Sequence, residues 1–520
     1  MLIEFGEWLP DLPEFDNQGA LVIKNVIPIG ESYEEFKSQV IYTISGASAS
    51  ATANISASCQ GFFTTRDNDG NEFNFAGDNN KLYRVSSSSF RNVTRGSSSA
   101  SPSAYTVASG DIWDFTRFQN RVIAAQLGDG LQTFIPGTSA RFSNLYAEAS
   151  ATGSATITIL AKTVATIKDF LVVGNTNSGA EGHIPYRVRW SGINAPTAWV
   201  ASATTQSDAQ DLPFDNGDVQ RIISGNYGII FQERAITRMT YVGSPLVFQF
   251  DEMESGRGTP SPFSVRKIGD LIFYLGQDGF YVFDGEKSTA IGANKIDRTF
   301  WNDVDKTYLN SIVTAVDFNK HVIYWAYAGD ANTRGRRNRI LCFNYASNSK
   351  KRWSIIEDID IEFLNNFLTE GYTLDTLDTV STNIDTLLFS LDSRVWVGGL
   401  QVLSGFDTSH RLVNFTGDAL NATLETGLFQ IYPDNRANLT LLRPMIDRTS
   451  TGSLSLSLQV GIKDNLYQGT TYKPIVNVNS TGNCPVRANA RYHRVRANIS
   501  GGFGHAIGVE VVKSSKEGMR

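Results

Sequence analysis

A strand–turn–strand unit recurs along this chain, and the recurrence constrains its fold more than any other feature. In residues 275–285, LGQDGFYVFDG, a hydrophobic start leads into the turn Gln277-Asp278-Gly279, four alternating residues follow, and Asp284-Gly285 forms a second turn. Asp-Gly and Asn-Gly turns suit tight hairpins because they tolerate positive φ angles. Taken alone, this segment predicts a β-hairpin with tight turns.

Loose copies of this unit begin roughly 45–55 residues apart, close to the period of about 40–50 residues that marks propeller blades. A Thr/Leu/Asp-rich insertion near 368–386 delays the last copy. Small sheets of this kind stack radially because stacking buries their faces and leaves only short edges exposed. The copies lie at 62–85, 115–134, 167–192, 223–243, 265–285, 316–354 and 387–399.

The repeat and the turn-rich composition therefore predict an all-β fold with a β-propeller-like body of about six blades. A non-repetitive β-sandwich remains the alternative, since any antiparallel protein contains strand–Asp-Gly–strand units. The prediction adds a proline-rich N-terminal arm and further strands at the C-terminus.

The two ends of the chain differ from the middle. Residues 1–40 contain Trp8, Pro10, Pro13 and Pro28, which predicts an irregular arm with one short helical turn at 34–39. Residues 41–420 form the predicted propeller-like body. Beyond 420, stretches such as SLSLSLQV alternate with a period of two, as in a sheet solvated on one face. Residues 421–520 are therefore predicted to form a C-terminal β domain or closing sheet.

Charge and cysteine content exclude several classes of protein. The net charge is −6 and the pI about 5.6, whereas a protein that grips nucleic acid needs clustered Lys and Arg. The densest basic stretch, 334–339, is interpreted as a solvated hairpin tip rather than a phosphate clamp. Three widely spaced cysteines argue against a disulfide scaffold and for synthesis in a reducing compartment. The acidic N-terminus is unlike a signal peptide, and no apolar run predicts a membrane span.

The sequence contains no recognisable catalytic motif. GxSxG, HExxH, GxxxxGK[ST] and a GxGxxG after a strand are all absent, and the five histidines are scattered. Asp251, Glu252 and Glu254 cluster beside Arg257, but propeller enzymes take their carboxylates from several blades. The stretch 66–73, RDNDGNEF, resembles a Ca²⁺ loop for three residues, yet its glycine comes too early, and a type I′ hairpin explains it. We therefore predict no catalytic residue, no cofactor and no metal site.

Several segments resemble the tail hub or nozzle proteins of short-tailed bacteriophages, the packaged-DNA stabilisation protein family. The opening segment, 8–36, carries the family's order of Trp, Pro-Asp, Pro, Asn-Val-x-Pro and an aromatic residue. Residues 256–285, followed by IGANKIDRTFWND at 291–303, resemble its middle, and 491–520 resemble its closing strands with a His-Ala-x-Gly turn. The matching residues of the opening are Trp8, Pro10, Asp11, Pro13, Ala20, Asn25, Val26, Pro28 and Tyr33.

The resemblance implies a structural virion protein of the viral tail, made in the bacterial cytoplasm. Such proteins form a homo-oligomeric ring, a hexamer, beneath the portal and adaptor rings, where they also meet other tail proteins or tail fibres. The ring retains packaged double-stranded DNA and conducts it during ejection, with a propeller-like body around a central channel and no membrane insertion. A net-negative wall agrees with this role, because it lets the duplex slide. The candidate adaptor contacts are Trp8, Pro10, Asp11, Pro13, Asn25, Pro28 and Tyr33.

Two other functions stay open at this point. A propeller-type glycan-binding adhesin would use exposed aromatic rings as stacking faces. A propeller glycosidase would depend on Asp251 or Glu252. The tryptophans available for glycan stacking are Trp190, Trp199, Trp325, Trp353 and Trp396.

Overall fold

The computed structural model describes residues 1–518 except 16, 43–53, 86–89, 99–100, 146–157, 180, 347, 370–400, 434 and 449–453. Within these residues the chain is built almost wholly from antiparallel strands, which confirms the predicted all-β class. The described residues contain one α-helix, α1 (Asp297–Asp303). Short 3₁₀ turns occur at Phe214–Asn216, Pro262–Ser264 and Lys306–Ser311.

The first 41 residues form five short strands, so the expectation of an irregular arm is wrong. The predicted helical turn at 34–39 is also wrong, because Glu34 and Glu35 belong to a β-hairpin that turns at Gly30 with φ +57°. Pro28 fits this hairpin opposite Tyr33. The strands are β1 (Leu2–Glu4), β2 (Ala20–Lys24), β3 (Val26–Ile29), β4 (Ser32–Glu35) and β5 (Val40–Ile41).

The body consists of four-stranded antiparallel sheets that follow one another along the chain, as the repeat predicted. A two-stranded ribbon, β10 (Gly96–Ser98) and β11 (Ser101–Pro102), lies between the first two sheets. The first four blades are β6–β9 (Gly61–Arg66, Glu72–Gly77, Leu82–Val85, Phe90–Asn92), β12–β15 (Asp114–Phe118, Arg121–Gln126, Asp129–Phe134, Ser143–Asn144), β16–β19 (Ile159–Ile167, Phe170–Ser178, Gly182–Trp190, Asp208–Asp211) and β20–β23 (Val219–Ile223, Gly228–Gln232, Ala235–Gly243, Val247–Ser255).

Three more blades complete the body. The described residues form seven blades, where about six were predicted, and the repeat copy at 387–399 lies outside those residues. Blade 7 takes its outer strand from β5, at the other end of the body, which a search for local repeats does not detect. The strands are β24–β27 (Arg266–Ile268, Leu271–Leu275, Phe280–Phe283, Ser288–Ala290), β28–β31 (Val313–Asp317, Val322–Tyr327, Arg339–Asn344, Trp353–Ile356) and β32–β34 (Ile361–Leu368, Gln401–Asp407, Leu412–Asn414) with β5.

Apolar side chains between neighbouring blades close the ring. Phe75 of blade 1 meets Phe134 of blade 2 with ring centroids 5.1 Å apart. On the other side of blade 1, Phe62 and Phe90 pack against Phe406 of blade 7 at 6.0 and 5.8 Å. Because the first blade contacts the last, the described sheets form a closed, propeller-like body.

The C-terminal strands form two packed sheets. Leucines on the inner faces, among them Leu439, Leu442 and Leu458, are fully buried between them. The alternation seen in SLSLSLQV therefore marks one buried face, as predicted. The strands are β35 (Ala422–Thr426), β36 (Ala437–Arg448), β37 (Ser455–Lys463), β38 (Thr471–Tyr472), β39 (Val476–Asn477), β40 (Cys484–Ala490), β41 (Tyr492–Ser500) and β42 (Phe503–Lys516).

Strand β2 joins this C-terminal sandwich to blade 6. It runs parallel to β31 through Lys24 and Ile355 and antiparallel to β35, so one ten-stranded sheet extends from β28 to β38. On the opposite sheet, β1 and β4 both pair with β42. The division of the chain into domains at residues 40 and 420 stays a prediction. The ten-stranded sheet nevertheless contains strands from all three of the predicted domains.

Candidate functional site

The N-terminal segment holds the predicted contact residues, and Asn25 lies at its centre. Its backbone is in the left-handed region, with φ 61°, where asparagine is tolerated better than most residues. Its side-chain amide donates to the Asn421 carbonyl at 2.8 Å, and its Oδ1 accepts the Glu357 N–H at 2.8 Å. Asn25 thus connects blade 6 to the C-terminal sandwich and is 3% exposed.

Asp11 caps a helix that lies far away in the sequence. Its carboxylate accepts the N–H groups of Arg298 and Thr299 at 2.8 and 2.9 Å, and the Thr299 hydroxyl at 2.7 Å. The residue before α1, Ile296, has no side chain that can do this. A carboxylate at this end also interacts favourably with the helix dipole.

The aromatic and proline candidates mostly pack inside the chain. Trp8 is buried and donates from Nε1 to the Leu21 carbonyl at 3.2 Å, and with Pro10 it lines an apolar cavity of about 230 Å³ beside α1. Tyr33 is fully buried, and its hydroxyl donates to the Gly6 carbonyl at 2.8 Å. The Pro28 carbonyl accepts the Asn344 amide at 2.8 Å. These contacts give the residues a folding role that the sequence did not indicate.

Two neighbouring residues are free for an outside partner. Pro13 is exposed, and the Phe15 side chain is 72% exposed. Adaptor contact by the seven candidates stays a prediction. Pro13 is the member of that set whose exposure suits it best, and Phe15 was not among the residues predicted from the sequence.

Glu14 fixes the same segment to the sandwich. Its carboxylate meets the Nζ of Lys463 in a short contact and the Arg494 guanidinium at 3.0 Å. Burial opposes ionisation of Glu14, but the Lys463 hydrogen bond and the charges of Arg494 and Lys463 outweigh it and lower its pKa. Arg494 also faces Glu425, whose side chain is 1% exposed, so an ion cluster lies where the segment meets the sandwich.

A second feature is a cavity of about 300 Å³ on the axis of the propeller. Residues from the inner strands of blades 1, 2, 4, 5, 6 and 7 line it. Arg221 on β20 and Arg266 on β24 bring two guanidinium groups to its wall, beside Asp114 on β12 and Asn365 on β32. A wider cavity of about 590 Å³, lined partly by Lys162, lies among the loops that precede these strands.

Asp297, the first residue of α1, explains part of the motif at 275–285. Its carboxylate accepts the Phe280 N–H at 3.1 Å. A Cβ atom on Gly279 would lie 2.1 Å from the carboxylate, so only glycine fits there. Burial, and to a lesser degree the charges of Asp11 and Asp278, raise the pKa of Asp297 to about 7 despite that hydrogen bond.

This raised pKa predicts a pH effect on stability. The folded state holds the Asp297 proton more tightly than the unfolded state, so the contribution of Asp297 to stability should fall as the pH rises from about 4 to about 7. The Asp297→Asn variant should lack this component. Urea unfolding across that pH range measures it, with Asp270→Asn at an exposed position as the control. Parallel pH profiles for wild type and Asp297→Asn would contradict the prediction.

The carboxylates considered for catalysis do not converge. Asp251, Glu252 and Glu254 lie on β23, the outer strand of blade 4, away from the axis. Each has a separate partner: Arg238 at 3.8 Å, the Asn216 amide at 2.9 Å and Arg257 at 3.5 Å. In the part of the chain that the structure describes, no group of three or more His, Cys, Asp or Glu side chains could hold a metal ion.

The tryptophans proposed as glycan-stacking faces are buried. Trp190, Trp199, Trp325 and Trp353 are at most 3% exposed, so none of them offers a ring to a sugar. Trp396 lies outside the described residues. Burial of these four rings is the usual role of blade tryptophans, and they give the adhesin alternative no support.

Two turns differ in detail from expectation. The loop at 67–71 has five residues rather than a type I′ pair, and the Asp67 side chain closes it by accepting the N–H groups of Asp69 and Asn71. The basic stretch 334–339 lies in the β29–β30 connection and reaches the first residue of β30. Arg337 within it is buried, and its Nε donates to the Ser311 carbonyl at 2.8 Å. The stretch is therefore not wholly a solvated tip.

Comparisons with known proteins give little. No family model matches this chain, and no curated protein matches it. Among solved structures, the crystal structure of the computationally designed Ika8 protein matches with 9% sequence identity and a TM-score of 0.33. That match covers 70% of this chain and 98% of the designed one. A likeness at this level carries no argument about function. No helix among the described residues is long and apolar enough to cross a membrane.

Proposed function

We propose that this chain is a subunit of the tail hub or nozzle ring of a short-tailed bacteriophage, which retains packaged DNA and conducts it during ejection. The observation that carries the proposal is the placement of the N-terminal segment. The residues of the family-like opening, 8–36, are those that fasten the propeller to the sandwich through β2 and Asn25. A wall that holds back packaged DNA requires such a rigid connection.

The DNA conduit would run between subunits rather than through one propeller. The axial cavity of a single chain measures about 300 Å³, and one water molecule occupies about 30 Å³ in the liquid. A duplex cannot pass through this space. The resemblance implied a channel inside each propeller-like body. We propose instead that the channel lies at the centre of the ring of subunits.

Exposed apolar side chains supply candidate contacts between chains. Phe214 and Leu246 near blade 4 are 69% and 72% exposed. Tyr467, in the connection between β37 and β38, is fully exposed. A head-to-tail contact between two different surfaces is the kind that generates a closed ring. The proposal includes assembly of six chains into a ring and contact of that ring with the adaptor ring and with tail fibres.

Electron microscopy tests the proposal directly. We expect the purified protein to form rings with a central hole, and an antibody against it to label the tail of purified virions. The double variant Phe214→Ser/Leu246→Ser should reduce ring formation, whereas Phe318→Ser, another exposed phenylalanine, serves as the matched control. A monomeric protein with no label on virions would refute the nozzle role.

A further inference from the structure

Arg266 is an uncompensated cation on the wall of the axial cavity. It opens the inner strand of blade 5, and its side chain has no hydrogen bond or ion pair among the described residues. Burial, and then the nearby charge of Arg221, lower its pKa to about 10, so it still carries its charge at neutral pH. A partly buried guanidinium without an ion pair is stabilised by an anion that reaches it.

Arg221, the second cation of the cavity, is held in place by the protein. Its guanidinium lies 3.6 Å from Asp114, donates to the Pro262 carbonyl at 3.3 Å and stacks 4.4 Å from the Phe263 ring centroid. The other oxygen of Asp114 is taken by the Thr163 hydroxyl at 2.7 Å and the Val164 N–H at 3.0 Å. Both oxygens of Asp114 therefore interact with Arg221 and with blade 3. Asp114 does not pair with Arg266, so the charge of Arg266 is not neutralised.

Asn365 provides an independent observation. It lines the same cavity from the inner strand of blade 7 and is 5% exposed, yet neither its Oδ1 nor its Nδ2 has a hydrogen-bond partner among the described residues. The next residue, Asn366, shows the contrast, because its amide is fully paired with the backbone of Val316 at 3.0 and 2.7 Å. Buried amides without partners are rare and costly, which points to a missing ligand.

We propose that the axial cavity binds a small free oxyanion, held by Arg266 and Arg221 and hydrogen-bonded by the Asn365 amide. Guanidinium groups pair with oxyanions through charge-assisted and often bidentate hydrogen bonds. The cavity volume suits a small ion with some water and excludes a nucleic-acid strand. An anion at this position would link blades 4, 5 and 7 across the axis. The site does not depend on the proposed nozzle role.

Titration calorimetry of the full chain with inorganic phosphate tests the site, with sodium chloride of matched ionic strength as the blank. We expect saturable binding to wild type and a loss of affinity of about tenfold or more in Arg266→Gln, since a hydrogen bond to a charged group contributes about that much. Lys267→Gln, on the same strand but exposed, is the matched control and should bind as wild type does.

Each result decides the question. No saturable binding to wild type, or equal affinity in Arg266→Gln and Lys267→Gln, overturns the site. If Arg266→Gln does not fold, Asn365→Ala takes its place, and an unchanged affinity in that variant overturns the site. Sulfate and acetate identify the class of ion: binding of sulfate but not acetate assigns a tetrahedral oxyanion, and the reverse assigns a carboxylate. Ring formation is measured separately, so the failure of one proposal does not imply failure of the other.

Discussion

A chain that lacks residues 1–30 is expected not to fold. The deletion removes β2, the strand between β31 and β35, and so divides the ten-stranded sheet. It also removes core side chains that are at most 5% exposed, and burial of each large one contributes about 1.5–3 kcal/mol. The lost total rivals the whole stability of a typical domain, about 5–15 kcal/mol. The core residues removed are Phe5, Trp8, Ala20, Ile23, Val26 and Ile27.

The soluble yield and thermal unfolding of residues 31–520 measure this effect. Two point variants test whether the buried side chains of this segment cause the effect. Ile23→Asp, at a buried position, should be severely destabilised, whereas Phe15→Asp, at an exposed position, should not. A soluble fragment that unfolds at the wild-type temperature would contradict the prediction. Because the deleted chain should not fold, its failure to attach to a tail would not identify a contact residue. Variants of Pro13 and Phe15 are the better test of attachment, because their side chains are exposed.

Glu425→Ala is expected to cost about 3–5 kcal/mol of unfolding free energy, the range for removing one partner of a buried ion pair. The Glu425 carboxylate faces Arg496 at 2.8 Å and Arg494 at 3.5 Å and accepts a short hydrogen bond from the Tyr472 hydroxyl. Burial, and then the hydrogen bond to Glu425, raise the pKa of Tyr472 to about 12. Without Glu425, the acidic partner that remains for Arg494 among the described residues is Glu14, whose side chain is 41% exposed.

Urea unfolding measures the loss, and Glu510→Ala is the matched control. Glu510 pairs with Arg443 at 3.3 Å, but both side chains are more than a third exposed, so its removal should cost less than about 1 kcal/mol. Similar losses for the two variants would show that the Glu425 cluster contributes no more than a surface ion pair.

The local parts of the fold were predictable from the sequence. The hairpins at 62–85, 115–134 and 265–285 follow from alternation and Gly-containing turns, and the structure confirms them. The pairings that were missed join residues far apart in the chain. Val40 and Ile41 complete blade 7, and β2 lies beside β31, and neither position carries a local signal for its partner.

The same distinction holds for the candidate sites. The prolines near residue 10 suggested an irregular arm, but Asp11 accepts a helix N–H group from a residue 287 positions away, which no local pattern encodes. Arg221, Arg266 and Asn365 come from three different blades and meet only because the ring closes. Each of them alone looks like an ordinary polar residue in a short strand.

The position of β2 and β5 has a consequence for synthesis of the chain on the ribosome. The segments near residues 20 and 40 are synthesised first. They can pair only with strands near residues 355, 412 and 424, which are synthesised late. Closing such long-range contacts is entropically costly and slow. Individual blades can form while the nascent chain grows, but the ring and the sandwich can close only after nearly the whole polypeptide has been translated. A prematurely terminated product would therefore lack both the closed ring of blades and the C-terminal sandwich.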